Sequence, residues 1–291
     1  MEPLKPDDQQ APGPAAPTTR FEESDFPWWL VWLVVLIAVL MYAIVVNDAY
    51  QEAFRSTFPW PWDWRESWNR GIVFTLILTA GAFIFAMVLG LFIGLGRLAR
   101  YRGPNPAIRL LVSFVRNVST FYIELVRGIP MIVFIFFVAF VLVPDVADLL
   151  DMKTRAISQA WRGVAALSLF YAAFIAEVFR AGIQSVPEGQ SEAGRAVGLS
   201  ERQITWKVVL PQAVRNMLPA LGNDLIALMK DTSLLSVLAV RELTQMVRLY
   251  TGASFRFREG YFVLMVIYVV MTLGLSLVLR WYEKRIKVPG Y

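Results

Sequence analysis

The stretch VPEGQSEAGRAVGLSERQITWKVVLP, residues 186–211, decides how the rest of the chain reads. Pro187 suits the first turn of a helix, where the amide it lacks would have no partner, and Gly198 can take the left-handed conformation that ends one. Ser200 and Gln203 stand at capping-box spacing and predict a second short helix, which Pro211 closes. A plain connecting loop would not need this punctuation. Residues 184–215 are too polar to immerse in lipid, so the sequence predicts a compact helix-turn-helix outside a membrane, joining two crossings.

The flanking chain supplies those crossings. Trp28–Val46 is uncharged for 19 residues, and at about 1.5 Å per residue this covers a ~30 Å hydrocarbon core. The acidic stretch before it and the lack of a small-residue cleavage site favour a retained span over a signal peptide. Residues 71–96 form a second uncharged run, with Ala86, Gly90 and Gly94 at i, i+4 and i+8, a spacing that lets another helix approach closely. Further spans are expected at about 120–144, 163–183, 216–240 and 260–280, six in all, with Pro130 as a bend. Arg97, Arg100, Arg102 and Arg109 mark an inner loop. Placing both termini inside puts 15 Lys and Arg on the inner side against 10 outside, a modest bias in the expected direction. Residues 1–27, with six prolines and six acids, read as a disordered tail. Residues 47–70, where Trp60, Trp62, Trp64 and Trp68 interleave with Pro59 and Pro61, read as an interfacial aromatic belt.

Composition agrees. The 291 residues are 57% hydrophobic and 18% charged, both shifted from soluble usage toward an integral membrane protein. There is no cysteine and no histidine, which excludes disulfides, thiol nucleophiles, His-dependent triads, zinc motifs of the HExxH type and imidazole proton relays. A net charge of +5 fits orientation and contact with membrane lipid better than nucleic acid. No G-x-x-x-x-G-K-[ST] occurs, so nothing here cradles ATP phosphates in the usual way.

Residues 192–211 resemble the EAA loop of ABC importer permeases. That family shows Glu-Ala-Ala, three residues, Gly, nine residues, Ile, one residue, Leu-Pro; here Glu192-Ala193-Gly194, Gly198, Val208 and Leu210-Pro211 keep every spacing, with Gly194 and Val208 as small departures. FYIELVRGIPMIV (121–133), AAFIAEVFRAGIQSVPEGQ (172–190) and LPQAVRNMLPALGNDLIALMKDTSLLSV (210–237) are similar to permeases for polar amino acids of the histidine and glutamine type. The resemblance covers about three quarters of the chain, from Gly71 to the C-terminus. It implies the all-α transmembrane domain of a type I ABC importer: a five-helix core, here with one extra N-terminal helix. It also implies no cofactor on this chain. ATP and magnesium would sit on a partner ATPase that receives the loop as a coupling helix through Glu188, Glu192, Ala193, Gly194, Gly198, Leu199, Leu210 and Pro211. The further partners implied are a second permease subunit, identical or paralogous, and an extracytoplasmic solute-binding protein. An ion-coupled secondary transporter or channel is the alternative.

Two other groups draw attention. Glu124 with Arg127, and Glu177 with Arg180, share a helix face at i, i+3 and are expected as structural ion pairs near the inner surface. Asp224 and Asp231 are seven residues apart and so within about 20° on one helix face, with Lys230 beside them. Ionisable groups at membrane depth point to function, so Asn223, Asp224, Lys230 and Asp231 are candidates for the substrate path.

Overall fold

A computed structural model describes residues 28–57, 71–101 and 103–286. The expected disordered tail, the four tryptophans of the aromatic belt, Arg102 and residues 287–291 lie outside the described residues.

Every regular element described is helical. Helix α1 (Trp28–Val46) is apolar throughout and stops at Asn47, whose side-chain oxygen accepts from the Ala49 amide at 3.0 Å and starts α2 (Asp48–Thr57). The chain bends by 98° there. Next come α3 (Gly71–Leu98) and α4 (Pro106–Gly128), the latter capped by Asn105 with a proline in its first turn. After a break at Ile129 and Pro130 follow α5 (Met131–Leu149) and α6 (Gln159–Gln184). Helices α7 (Glu188–Ala196) and α8 (Glu201–Ile204) lead into α9 (Leu210–Asp231), α10 (Leu243–Ser254) and α11 (Phe257–Ile286).

The centre is the seam between α3 and α6. In lipid the hydrophobic effect does little to join apolar helices, so close packing must do it, and small residues permit it. Ala82, Ala86, Gly90 and Gly94 are buried along α3, facing Ala172, Ala173, Ile175 and Ala176 on α6. A β-carbon added at Gly94 would come within 2.8 Å of the Ala176 carbonyl oxygen, and one at Gly90 within 2.8 Å of Ile175 Cγ2. The small-residue stripe therefore packs on another helix as expected. Large apolar side chains on the outer faces, such as Ile84, Phe92 and Phe140, are exposed, as lipid contact requires.

Pro211, expected to close a helix, does not, and Pro144 behaves in the same way. Pro144 and Pro211 each follow a π-helical turn, Val138–Leu142 and Thr205–Val209, and α-helix continues beyond both. The wider turn lets the chain pass a residue with no amide to donate and a ring that crowds the preceding turn. The widened turn at 138–142 also frees a carbonyl for a charge. Arg162, buried at the start of α6, donates to the carbonyls of Ala139, Thr154 and Ile157, so three acceptors replace water around its guanidinium.

Among the described residues four helices are long and apolar enough to cross a membrane, at Gly71–Leu98, Met131–Leu149, Gln159–Gln184 and Phe257–Glu283; the bent α1–α2 pair makes up to five. The six expected spans are therefore corrected in two places. The span placed at 120–144 is divided at Pro130, its first part belonging to α4. The span placed at 216–240 begins earlier, ends as α-helix at Asp231, continues as a 3-10 segment (Thr232–Leu238) and is too polar to count among the apolar helices.

The extra N-terminal segment is docked. Ala53 on α2 is fully buried with Leu243, Val263 and Val266 of α10 and α11; Tyr50 stacks at a tilt on Phe262 with ring centres 5.0 Å apart, and Glu52 pairs with Arg256 at 2.5 Å. Glu242, wholly buried, caps α10 by accepting from the amides of Thr244 and Gln245, each at 2.8 Å. Beside it the Leu243 amide donates to Thr75 Oγ1 and the Gly71 amide to the Arg241 carbonyl, tying α10 to the start of α3.

Candidate coupling site

The helix-turn-helix forms as its residues predict. Pro187 precedes α7, and Gly198 turns the chain at φ +82°, where its amide and that of Leu199 donate to the carbonyls of Arg195 and Gly194. Ser200 caps α8 with a reciprocal capping box to Gln203. Arg195 Nε donates to Glu201 Oε1 at 2.7 Å across the turn, and that carboxylate holds the guanidinium above its ordinary range. Pro211, expected to close the second helix, instead lies in the first turn of α9, so the turn runs without interruption into a membrane-depth helix.

The structure sorts the predicted coupling residues by face. Glu188, Glu192 and Ala193 are exposed along α7, with Val197 beyond them 76% exposed. Gly194 is buried and faces inward: a β-carbon there would come within 3.0 Å of Ile204 Cγ1. Its smallness serves the packing of α7 on α8. Leu199 and Leu210 are half-buried, while Pro211 is exposed. Only residues 185–187 separate α6 from α7, and Asn216 of α9 donates to Ser185 Oγ at 2.8 Å. Short, bonded connections therefore join α7 to the ends of α6 and α9.

Of the two expected ion pairs, one forms as drawn. Arg180 Nε donates to Glu177 Oε2 at 2.8 Å. Glu124 does not pair with Arg127. It pairs with Arg97 at 3.6 Å, and Arg97 also pairs with Glu177. Arg127 instead lies over the Phe174 ring, 5.6 Å from its centre. Helical spacing put Glu124 and Arg127 on one face, but the end of α3 brings a guanidinium between two carboxylates on different helices, and that contact wins. Arg97, read in the sequence as a loop charge, is thus the hub that joins α3, α4 and α6. Beside this network Arg127, Glu177, Ser185 and Asn216 line a cleft of about 460 Å³ between α6 and α9.

The candidate path residues divide. Asp231, at the end of α9, accepts from the Tyr171 hydroxyl of α6 at 2.6 Å. Asp224 is half-buried, and its Oδ2 is buried without a hydrogen-bond partner among the described residues. Asn223 and Lys230 are exposed. The structure thus joins Asp231 to Tyr171, leaves one Asp224 oxygen buried and unsatisfied, and leaves the other two candidates exposed. Nothing in the sequence marks Tyr171, which is one aromatic among many in an apolar helix.

Such a molecule, with several helices long and apolar enough to cross a membrane and one capped, polar helix pair between two of its longer helices, has the build of a multi-pass membrane protein. Residues 93–288 match the model of the binding-protein-dependent transport system inner membrane component, and the chain belongs to that family. It is 33% identical over 215 residues to the probable amino-acid permease protein YxeN of Bacillus subtilis, a match covering 74% of this chain and 89% of that one. It is 37% identical over 190 residues to the glutamine transport system permease protein GlnP of Escherichia coli K12, covering 62% of this chain and 84% of that one. Among solved structures, that of an amino acid ABC transporter with histidines superposes with a TM-score of 0.63 at 32% identity, over 74% of this chain and 92% of that chain. The chain is therefore a permease component of the ABC importer type, an inner-membrane protein with the type I transmembrane fold. These relatives give no support to an ion-coupled transporter or channel.

Proposed function

We propose that the chain carries a polar amino acid, or a related small zwitterion, inward across the cytoplasmic membrane as one of two permease subunits, with both termini on the cytoplasmic side. The observation that carries this reading is the exposed face of α7, held by short links to α6 and α9, in a chain whose relatives are named as amino-acid and glutamine permeases. Glu188, Glu192 and Ala193 seat in a cleft of a separate ATPase, which holds the ATP and magnesium. An extracytoplasmic binding protein delivers the substrate to the other face. Closure of the ATPases draws the α7 helices together and rocks α6 and α9, and hydrolysis resets them. Asp224, with an unsatisfied carboxylate oxygen at membrane depth, is the residue placed to meet the amino group of a passing zwitterion.

The test is uptake by proteoliposomes that contain this chain, its ATPase and its binding protein, offered a panel of labelled amino acids. The expected result is accumulation of a polar amino acid that requires ATP. Accumulation driven by an ion gradient without the ATPase would contradict it.

A further inference from the structure

Where α3 gives way to α4 the surface carries a recess of about 270 Å³, lined by Arg100, Arg109 and Arg116 together with Tyr101 and Ser113. Arg109, Ser113 and Arg116 sit at i, i+4 and i+7, one stripe of α4, and Arg100 and Tyr101 come from the chain just past the end of α3. None of the three guanidiniums has an acidic partner among the described residues: Glu124, the acid on α4, is taken by Arg97. Three arginines and two hydroxyl-bearing residues line one recess, and among the described residues no ion pair accounts for the arginines.

The next stripe of the same helix is apolar and uncovered. Leu110, Phe114 and Phe121 are 74%, 65% and 66% exposed, and Phe92 on α3 is 68% exposed. Arg100 follows an uncharged run of 26 residues that fills the hydrocarbon, so the recess lies at the boundary between acyl chains and headgroups. Planar guanidiniums pair with phosphate oxygens two bonds at a time, and hydroxyls add donors. A free phosphate would use the arginines and leave the apolar stripe without an occupant. A phospholipid satisfies both.

We propose that this recess binds the phosphate of an anionic phospholipid, whose acyl chains lie along the exposed apolar stripe of α4. The assignment needs only that the chain is embedded in a bilayer and does not depend on which solute it carries. A bound lipid here would brace the junction of α3 and α4 next to Arg97.

The experiment uses the full chain in detergent, exchanged against an equimolar mixture of phosphatidylglycerol and phosphatidylcholine with matched acyl chains, with retained lipid counted by mass spectrometry. The unaltered chain is expected to retain phosphatidylglycerol in clear excess, and equal retention of the two lipids would overturn the proposal without any variant. Arg109→Gln with Arg116→Gln should lower phosphatidylglycerol retention by about fivefold for each arginine removed, leaving phosphatidylcholine unchanged. Arg55→Gln with Arg155→Gln, two exposed arginines elsewhere, should leave retention as it was; an equal loss there would reduce the effect to net charge and overturn the site. Excess inorganic phosphate separates the two sources of the anion. If it strips the lipid while chloride at matched ionic strength does not, the recess reads a free anion and the lipid assignment fails; if the lipid stays, the assignment holds.

Discussion

Gly198 joins backbone conformation to the proposed coupling step. Its φ of +82° is left-handed, and a β-carbon there would meet no atom within 4 Å, so the main penalty of Gly198→Val is backbone strain, about 1–2 kcal/mol. The variant should fold and insert. It should also misplace α7 and separate ATP hydrolysis from uptake; substrate-stimulated hydrolysis and uptake that both match the unaltered transporter would contradict the role given to the turn. Arg97 makes a different claim. Removing it leaves Glu124 without its partner and Glu177 with one of two, so Arg97→Ala should cost about 1–3 kcal/mol, against about 0.5–1 kcal/mol for Arg127→Ala, which loses only a contact with a ring. Thermal unfolding in detergent gives the order, and a larger loss for Arg127 would restore the pairing that helical spacing suggests. The sequence could not display the Arg97 hub, because its three helices are far apart in the chain. Gly198 was legible because its turn is local.

At the scale of elements, the α3–α6 seam rests on small residues whose backbones nearly touch. Gly94→Leu drives a side chain against a carbonyl oxygen that cannot move without bending α6, whereas at Gly81 a β-carbon meets nothing within 4 Å. Overpacking of this kind costs about 1–3 kcal/mol or more, so Gly94→Leu should lower the melting temperature markedly and Gly81→Leu should not. Similar losses at the two positions would mean that α3 packs by another face. The stripe of Ala86, Gly90 and Gly94 was readable because a four-residue spacing is a helical face whatever lies opposite. What defeated sequence reading was continuity. Pro144 and Pro211 break a regular α-helix, but a single π turn before each absorbs the missing amide, and nothing in VAFVL or TWKVV announces that turn.

For the molecule as a whole, the all-helical class follows from apolar runs and capping residues, while the docking of α1 and α2 on α10 and α11 does not. It depends on which face of α2 is small, at Ala53, and on a pair, Glu52 with Arg256, separated by 204 residues. Because the chain lacks cysteine, that docking can be read without background: Glu52→Cys with Arg256→Cys should be joined within one chain by a short bis-maleimide, and Glu52→Cys with Arg155→Cys should not. The absence of cysteine thus becomes the means of testing the architecture. The central claim is that α7 presents Glu188, Glu192 and Ala193 to an ATPase. It is tested most directly by a photo-crosslinking residue at Ala193 in the assembled transporter, with one at exposed Met152 as the comparison. The account predicts an adduct with the ATPase from position 193 and none from 152. No ATPase adduct from 193, or equal adducts from the two positions, would contradict it.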